Sequence, residues 1–265
     1  TENFKNTVLQ YANANDEKAM ESTLQIDYVH PFMEENKLEV GAKIINRKRE
    51  MVYSTSSSFD YRSPQETFNY NQQVFATYLS SEWNLPSDIG LKAGVRYEQT
   101  RIAGDWLNNS GDAFENTYAN ILPSITASKQ FSEGESFKIS YNNRISRPRT
   151  SHINPNNSRT NNHSITIGNP NLSPSLTHQV EVGYNHFGKK YQGSYYLYTK
   201  QTQDIVESYV RIIDDIATTE FENIGSSSTY GLNYFGSLRF DKLNIRAGFN
   251  LYQYRASSNI DSVDI

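Results

Sequence analysis

Polar and apolar residues alternate along this chain with a period of two. The cleanest stretch runs from Ile89 to Thr100, where Ile89, Leu91, Ala93, Val95 and Tyr97 interleave with Gly90, Lys92, Gly94, Arg96 and Glu98. Successive side chains of a strand point to opposite faces, so this pattern predicts a strand with one apolar and one charged face. It returns at Leu38, Val40, Ala42 and Ile44, at Phe137, Ile139, Tyr141 and Ile145, and at Leu243, Ile245, Ala247, Phe249 and Leu251. The alternation holds for roughly 9 to 13 residues, whereas strands of soluble proteins run about 5 to 6. A sheet built this way suits a boundary between a greasy phase and water.

Turn chemistry divides the strands into hairpins of unequal ends. Short polar clusters at 34–36, 86–88, 132–135, 188–190 and 241–242 predict tight turns gathered on one rim. Longer connections at 47–67, 104–115, 149–172 and 202–226 are rich in Asn, Ser, Thr, Asp and Pro, and gather on the other rim. They are too polar to build a core. The intervals imply about 10 strands, with Phe4 to Tyr11 as an eleventh, while the polar stretch from Asn13 to Ser22 reads as a short helical turn in a loop.

Composition narrows what such a sheet is for. The hydrophobic share is 36% and the mean hydropathy −0.70, too little to fill an interior, yet 13% of residues are aromatic and 19 are tyrosines. Disorder gives low hydropathy but not aromatics in ordered alternation. An antiparallel up-and-down transmembrane β-barrel accounts for both, because its lumen is polar, its apolar side chains form an outer band, and tyrosines belong to its interfacial girdles. No run approaches the roughly 18 apolar residues of a spanning helix, so the membrane reading is all-β. Ten or eleven strands are about half of a barrel of the roughly 22-stranded class. With no leader-like start and no apolar closing strand, residues 1–265 read as an internal part of a single outer-membrane β-barrel domain.

Other classes find little support. A net charge of −4 argues against nucleic acid as partner, and the absence of cysteine removes disulfides, thiolate metal sites and cysteine nucleophiles. His30, His152, His163, His178 and His186 are scattered without metal-ligand spacing, so no metal, cofactor or enzymatic centre is expected; Asp214-Asp215 with a loop histidine has no spacing that supports one. Two rivals stay open: a passive outer-membrane pore or adhesin barrel, and a soluble carbohydrate-binding β-sandwich.

Several words of the sequence then carry a resemblance. The segment from Leu24 to Phe32 followed by Lys37 to Lys43, the word Gly94-Val95-Arg96-Tyr97-Glu98, and the block from Ser140 to Arg147-Pro148, then Asn154-Pro155, then Gly168-Asn169-Pro170-Asn171-Leu172-Ser173-Pro174 stand in a characteristic order. In that order they resemble the outer-membrane β-barrel family of TonB-dependent receptors of Bacteroidetes-type bacteria, over about Leu24 to Tyr254. The resemblance implies the outer membrane of a Gram-negative bacterium and TonB-dependent uptake of a ligand. The implied partners are outer-membrane lipid, an N-terminal plug domain of the intact protein, TonB itself and a surface lipoprotein. Neither the plug nor the barrel termini are expected within these residues.

Candidate residues follow from both readings. Arg96, Tyr97, Glu98, Arg147, Pro148, Gly168, Asn169 and Pro170 are the motif positions expected to serve structure. Arg144, on a polar face, would point into the lumen and pair with plug or wall carboxylates such as Glu181 or Asp27. Arg147-Pro148 would end its strand. In the Gly168-Asn169-Pro170 turn the glycine would supply a positive φ, Asn169 an extended backbone, and Pro170 the turn. The loop residues Asn154, Asn156, Asn157, Arg159, Asn161, Asn162 and His163 are the candidate ligand surface. Tyr196 and Tyr198 would face the lumen and, with Arg144, are the lumen candidates for ligand binding; Tyr191 and Tyr195 would face the outer girdle, and Trp83 would anchor the short-turn rim.

Overall fold

The alternating segments become one antiparallel sheet. The computed structural model describes residues 11–33, 35–57, 66–107, 113–155, 158–161 and 163–259. Ten long strands form a wall: β1 (Tyr11–Phe32), β2 (Asn36–Ser57), β3 (Glu66–Leu85), β4 (Ile89–Trp106), β5 (Phe114–Ser132), β6 (Glu135–Ser146), then β9 (Ser175–Phe187), β10 (Tyr191–Ile213), β11 (Ile216–Arg239) and β12 (Asn244–Ser258). Between β6 and β9 lie one turn of helix, α1 (Thr150–Ile153), and two short strands, β7 (Ser158–Asn161) and β8 (Ser164–Thr166). Each wall strand pairs with the next, β6 pairs with β9, and β8 lies parallel to β11. Among the described residues β1 and β12 are edges that do not pair with each other.

All five short turns lie on one rim, as the turn clusters predict. Met33, Ser87 and Asp88 take positive φ there, at 48°, 67° and 57°, the geometry that lets a tight turn follow strand twist. The opposite rim differs from expectation. Residues 202–226 are not a loop: β10 and β11 continue through them to a two-residue turn at Asp214-Asp215, with φ of 50° and 63°. β2 runs on to Ser57, and β3 resumes at Glu66. The stretch 13–22 is strand rather than helical turn, because it pairs residue for residue with 46–55 of β2. The extra strand expected at Phe4 to Tyr11 falls, apart from Tyr11 itself, outside the described residues.

Register puts the alternating apolar sets of the strands on one face. Directly paired residues share a face, and rows such as Tyr28–Val40–Leu79–Val95–Pro123 and Ile139–Val182–Leu197–Leu232–Leu251 cross the wall strand by strand. Leu24, Ile121 and Leu197 are 61%, 65% and 58% exposed, a continuous apolar surface that requires a non-aqueous phase. Above Ile44 and Phe75 the same face turns polar, with Asn46, Lys48, Asn71, Gln73 and Arg101. Arg101 forks onto Glu115 there through two 2.7 Å bonds. A barrel strand crosses the lipid with about 9 to 11 residues. The 24 residues of β11 therefore reach well beyond it.

The other face is polar, and among the described residues its compact apolar cluster is at the long-strand end. Phe68, Tyr70, Ile102 and Ile153 are buried together, with Met51, Tyr53, Trp106 and Phe114 against them. Ile153 comes from α1, so the connection expected to build no core supplies its centre. The neighbouring His152 stacks on Phe221 of β11, with 4.6 Å between ring centres. One helical turn thus touches β3 and β4 on one side and β11 on the other, strands that would lie some 30 Å apart in a flat sheet. The wall must curve around the segment 149–174, here termed the strap, and the polar face is the concave one.

Candidate functional site

β6 ends at Ser146, and Arg147-Pro148 turns the chain off the wall, as a residue without a ladder donor requires. Arg147 then reaches back to the wall. Its guanidinium pairs with Glu98, and its Nε donates to Thr100 Oγ1 at 3.0 Å. Arg96 holds the other oxygen of the same carboxylate at 2.7 Å. Glu98 is only 7% exposed and Thr100 fully buried. A carboxylate there is tenable because two guanidinium groups and fixed donors replace its water. Motif residues Arg96 and Glu98, two apart on β4, are joined by the distant Arg147 in one cluster, while Tyr97 between the first two turns to the apolar face.

The strap is next pinned at both ends of its span. Asn154 Nδ2 donates to Tyr53 Oη at 2.8 Å, and the Asn154 carbonyl accepts from Gly168 N at 3.0 Å. Asn169 Nδ2 donates to the Phe221 carbonyl and to Glu222 Oε1, at 3.1 and 3.2 Å. Its own Oδ1 accepts from Asn171 N and fixes the turn that Pro170 opens. Gly168 does not take the expected positive φ. It is glycine because any Cβ would collide with the Asn154 backbone. Burial holds the His152 imidazole below its ordinary value, with the Arg149 charge pushing the same way.

Between the strap and the concave face of β1, β2 and β3 lies a cleft of about 590 Å³. Arg47 and Arg49, two apart on β2, share its wall; Arg147 and Arg149 line it from the entry to the strap, and Tyr53 and Tyr70 flank it. Arg47 Nε binds Glu21 at 2.6 Å and its Nη1 binds Gln72 at 2.9 Å, while Arg49 Nη1 binds Glu17 at 2.7 Å. Neither Arg47, Arg49 nor Arg149 stands out in the sequence, because the stretch is polar on both faces and hides its alternation.

The remaining expected residues distribute as follows. Arg144 does lie on the concave face, but it is exposed and donates to Asn142 Oδ1 at 3.2 Å. It does not pair with Asp27, which accepts from Tyr78 and Gln25 instead. Asp27 is on β1, five strands away, and Glu181 pairs with Ser140, four residues along β6 from Arg144 and too far for a short contact. Tyr196 and Tyr198 face the concave side and donate to Asn185 and Asn250, at 3.0 and 3.2 Å. Tyr191 and Tyr195 sit on the apolar face in mutual contact at 2.5 Å, beside Tyr234 and Phe249. Trp83 is on the apolar face near the short-turn rim, opposite Leu91. Of the candidate ligand loop, Asn154 is a buried brace, and the His163 carbonyl accepts from Ala217 N at 2.8 Å. Arg159 and Asn161 belong to β7; Asn156, Asn157 and Asn162 lie outside the described residues.

A family model for the outer membrane protein beta-barrel family matches residues 1–264. The chain belongs to this family. Its place is the outer membrane of a Gram-negative bacterium, and the curved wall with an apolar outer band is the family's transmembrane β-barrel architecture. Among solved structures, this β-barrel wall is similar to the ferric citrate transporter FecA in its unliganded form, with a TM-score of 0.73 at 12% identity, covering 94% of this chain and 37% of that one. It is also similar to the Serratia marcescens hemophore receptor HasR in complex with HasA and heme, with a TM-score of 0.69 at 11% identity, covering 92% and 43%. A third is the ferric yersiniabactin uptake receptor FyuA from Yersinia pestis, with a TM-score of 0.66 at 13% identity, covering 95% and 37%. The chain therefore spans less than half the length of these proteins. None of the curated protein sequences matches it.

Proposed function

We propose that this chain is part of the wall of a TonB-dependent outer-membrane receptor, which captures a ligand at the strap-side mouth and imports it. One observation carries the reading: a segment pinned across the concave side encloses a polar cleft at the end of the wall that extends beyond the lipid band. A passive pore needs no such device. In this reading residues 1–265 are one portion of a larger barrel domain. The solved receptors with the same wall are more than twice as long, which supports further strands and a plug elsewhere in the intact protein. TonB and the plug are its partners, outer-membrane lipid meets the apolar band, and a surface lipoprotein would dock on the projecting hairpins. The wall itself has no catalytic task.

The decisive test is growth on a ligand mixture by cells carrying the intact gene, with and without functional TonB. TonB-dependent uptake supports the receptor. Equal uptake in both strains, through a folded, heat-modifiable barrel, would assign the passive pore.

A further inference from the structure

We propose that the cleft beneath the strap is an oxyanion site: it takes a small ligand bearing carboxylate or phosphate groups, and Arg149, Arg49 and Arg47 recognise it. The proposal rests on the receptor reading and names the ligand class for that same site.

Charge bookkeeping around the cleft motivates it. Arg47 is matched by Glu21, Arg49 by Glu17, and Glu98 alone serves both Arg96 and Arg147. Arg149 has no ion-pair partner among the described residues. Five guanidinium groups thus face three carboxylates. Asp16 also lines the cleft, although its pairing with Val52 turns its carboxylate toward the opposite face of β1. Lower on the concave face, Lys43 and Asp27 offset each other in charge. On β11, Glu220 is met by Arg211 and Glu222 by Asn169. With Glu66 opposite Tyr53 on the same face, five guanidinium groups still outnumber four carboxylates around the cleft.

Donor capacity points the same way. A guanidinium carries five N–H groups, which match the oxygens of a carboxylate or phosphate in pairs. Arg47 spends its Nε and Nη1 on Glu21 and Gln72, and Arg49 spends Nη1 on Glu17. Both retain N–H groups beside the cavity. Arg149 is exposed and held between Pro148 and α1 in an extended backbone with φ −73° and ψ 153°, and its side chain makes no cap bond. β2 and the entry to the strap therefore bring four guanidinium groups to one space, with N–H groups left over after Glu17, Glu21 and Gln72 have accepted theirs. At about 590 Å³ the cleft suits a small molecule rather than the face of a domain. Half-buried Tyr53 and buried Tyr70 give it a partly apolar flank on which a ligand ring or chain can lie.

The test uses the intact receptor, folded in detergent, titrated with citrate and with inositol hexakisphosphate as carboxylate and phosphate probes, and with myo-inositol as the uncharged control. Saturable binding of at least one anion is expected, and it should weaken about ten-fold in Arg149→Gln, less in Arg149→Lys, and not at all in Lys242→Gln at the opposite rim. Arg149→Gln strands no carboxylate, so its effect reads the ligand contact and not a broken ion pair. Whichever anion binds more tightly assigns carboxylate or phosphate as the natural group. Absence of anion binding by folded wild type, equal binding of myo-inositol, or unchanged binding in Arg149→Gln would each overturn the proposal. If the anion fits only when the plug is deleted, the arginines serve plug carboxylates and the proposal again fails. Binding in detergent does not involve TonB, so a TonB-independent uptake phenotype would count against the receptor reading alone.

Discussion

Two connections on the same rim, 202–226 and 149–174, are similarly polar and end up as opposite kinds of structure. The first continues the ladder of β10 and β11 to a two-residue turn. The second leaves the wall and crosses its concave side. The difference lies in backbone donors and side-chain stiffness, not in polarity. Residues 202–226 contain Ile205, Val206, Val210, Ile212, Ile213, Ile216, Thr218 and Thr219, β-branched side chains that favour a pleated surface, and no proline. The strap and its entry contain Pro148, Pro155, Pro170 and Pro174, each unable to donate to a ladder. What the strap loses in ladder bonds it recovers from Glu98, Tyr53 and the backbone of β11. A ladder is stabilised locally; a strap depends on a few distant anchors.

That contrast predicts unequal sensitivity to mutation. The largest effect should come from Glu98→Ala, which strands Arg96 and Arg147 and should cost about 3 kcal/mol, measured by urea unfolding in detergent. Hydrogen exchange should then quicken at Ile167, Gly168 and Asn169, while the 205–213 ladder keeps its protection. Equal loosening of both regions would show that the strap has no separate anchor. Next comes Gly168→Ala, whose Cβ must displace the Asn154 backbone. Overpacking of that kind costs about 2 kcal/mol, and protease cleavage confined to 149–174 would register it. Intact, uncleaved strap in that variant would contradict the close approach.

How much of this was legible follows from where alternation survives. Within the lipid band one face is apolar, so strands, tight turns and the outward girdle of Tyr191 and Tyr195 can be read directly. Beyond the band both faces are polar. There Arg47-Lys48-Arg49 looks like loop, although Arg47 and Arg49 share the concave face and Lys48 the other. The Arg96, Glu98 and Arg147 positions were marked by their motif words, but their union on one carboxylate depends on a chain reversal that no local pattern encodes. Gly168 was marked as well, for the wrong reason: close approach to a distant backbone leaves the same glycine in the sequence as a positive φ does. Arg144 lies on the expected face, but the wall carboxylates Asp27 and Glu181 do not meet it, since strand order and register, not face alone, decide which charges meet.

A smaller effect separates strap from hairpin by pH. The folded strap holds His152 below its ordinary pKa of 6.5, so between the two values the released strap binds more protons than the docked one. Docking is therefore fully present above about pH 6.5 and weakens as the pH falls through the lowered value. Proteolysis at 149–174 should quicken on acidification, and His152→Phe, which keeps a ring on Phe221, should remove that dependence. Persistence of the pH effect in His152→Phe would assign it to another group.

The smallest change should move in the stabilising direction and only in the hairpin. Asp214 and Asp215 both hold positive φ in the turn between β10 and β11, a region where a Cβ is strained and where aspartate is tolerated less well than glycine. Asp215→Gly relieves that strain at the position where two-residue hairpin turns favour glycine. Glycine also widens the unfolded ensemble, which takes back part of the gain. The net should be about 0.5 kcal/mol, read as slower hydrogen exchange at Ile212, Ile213 and Ala217 with the strap amides unchanged. Slower exchange in the strap as well would mean that hairpin and strap move as one unit through the β8–β11 pairing, and the contrast between a self-supporting ladder and a segment held by distant anchors would then fail at that contact.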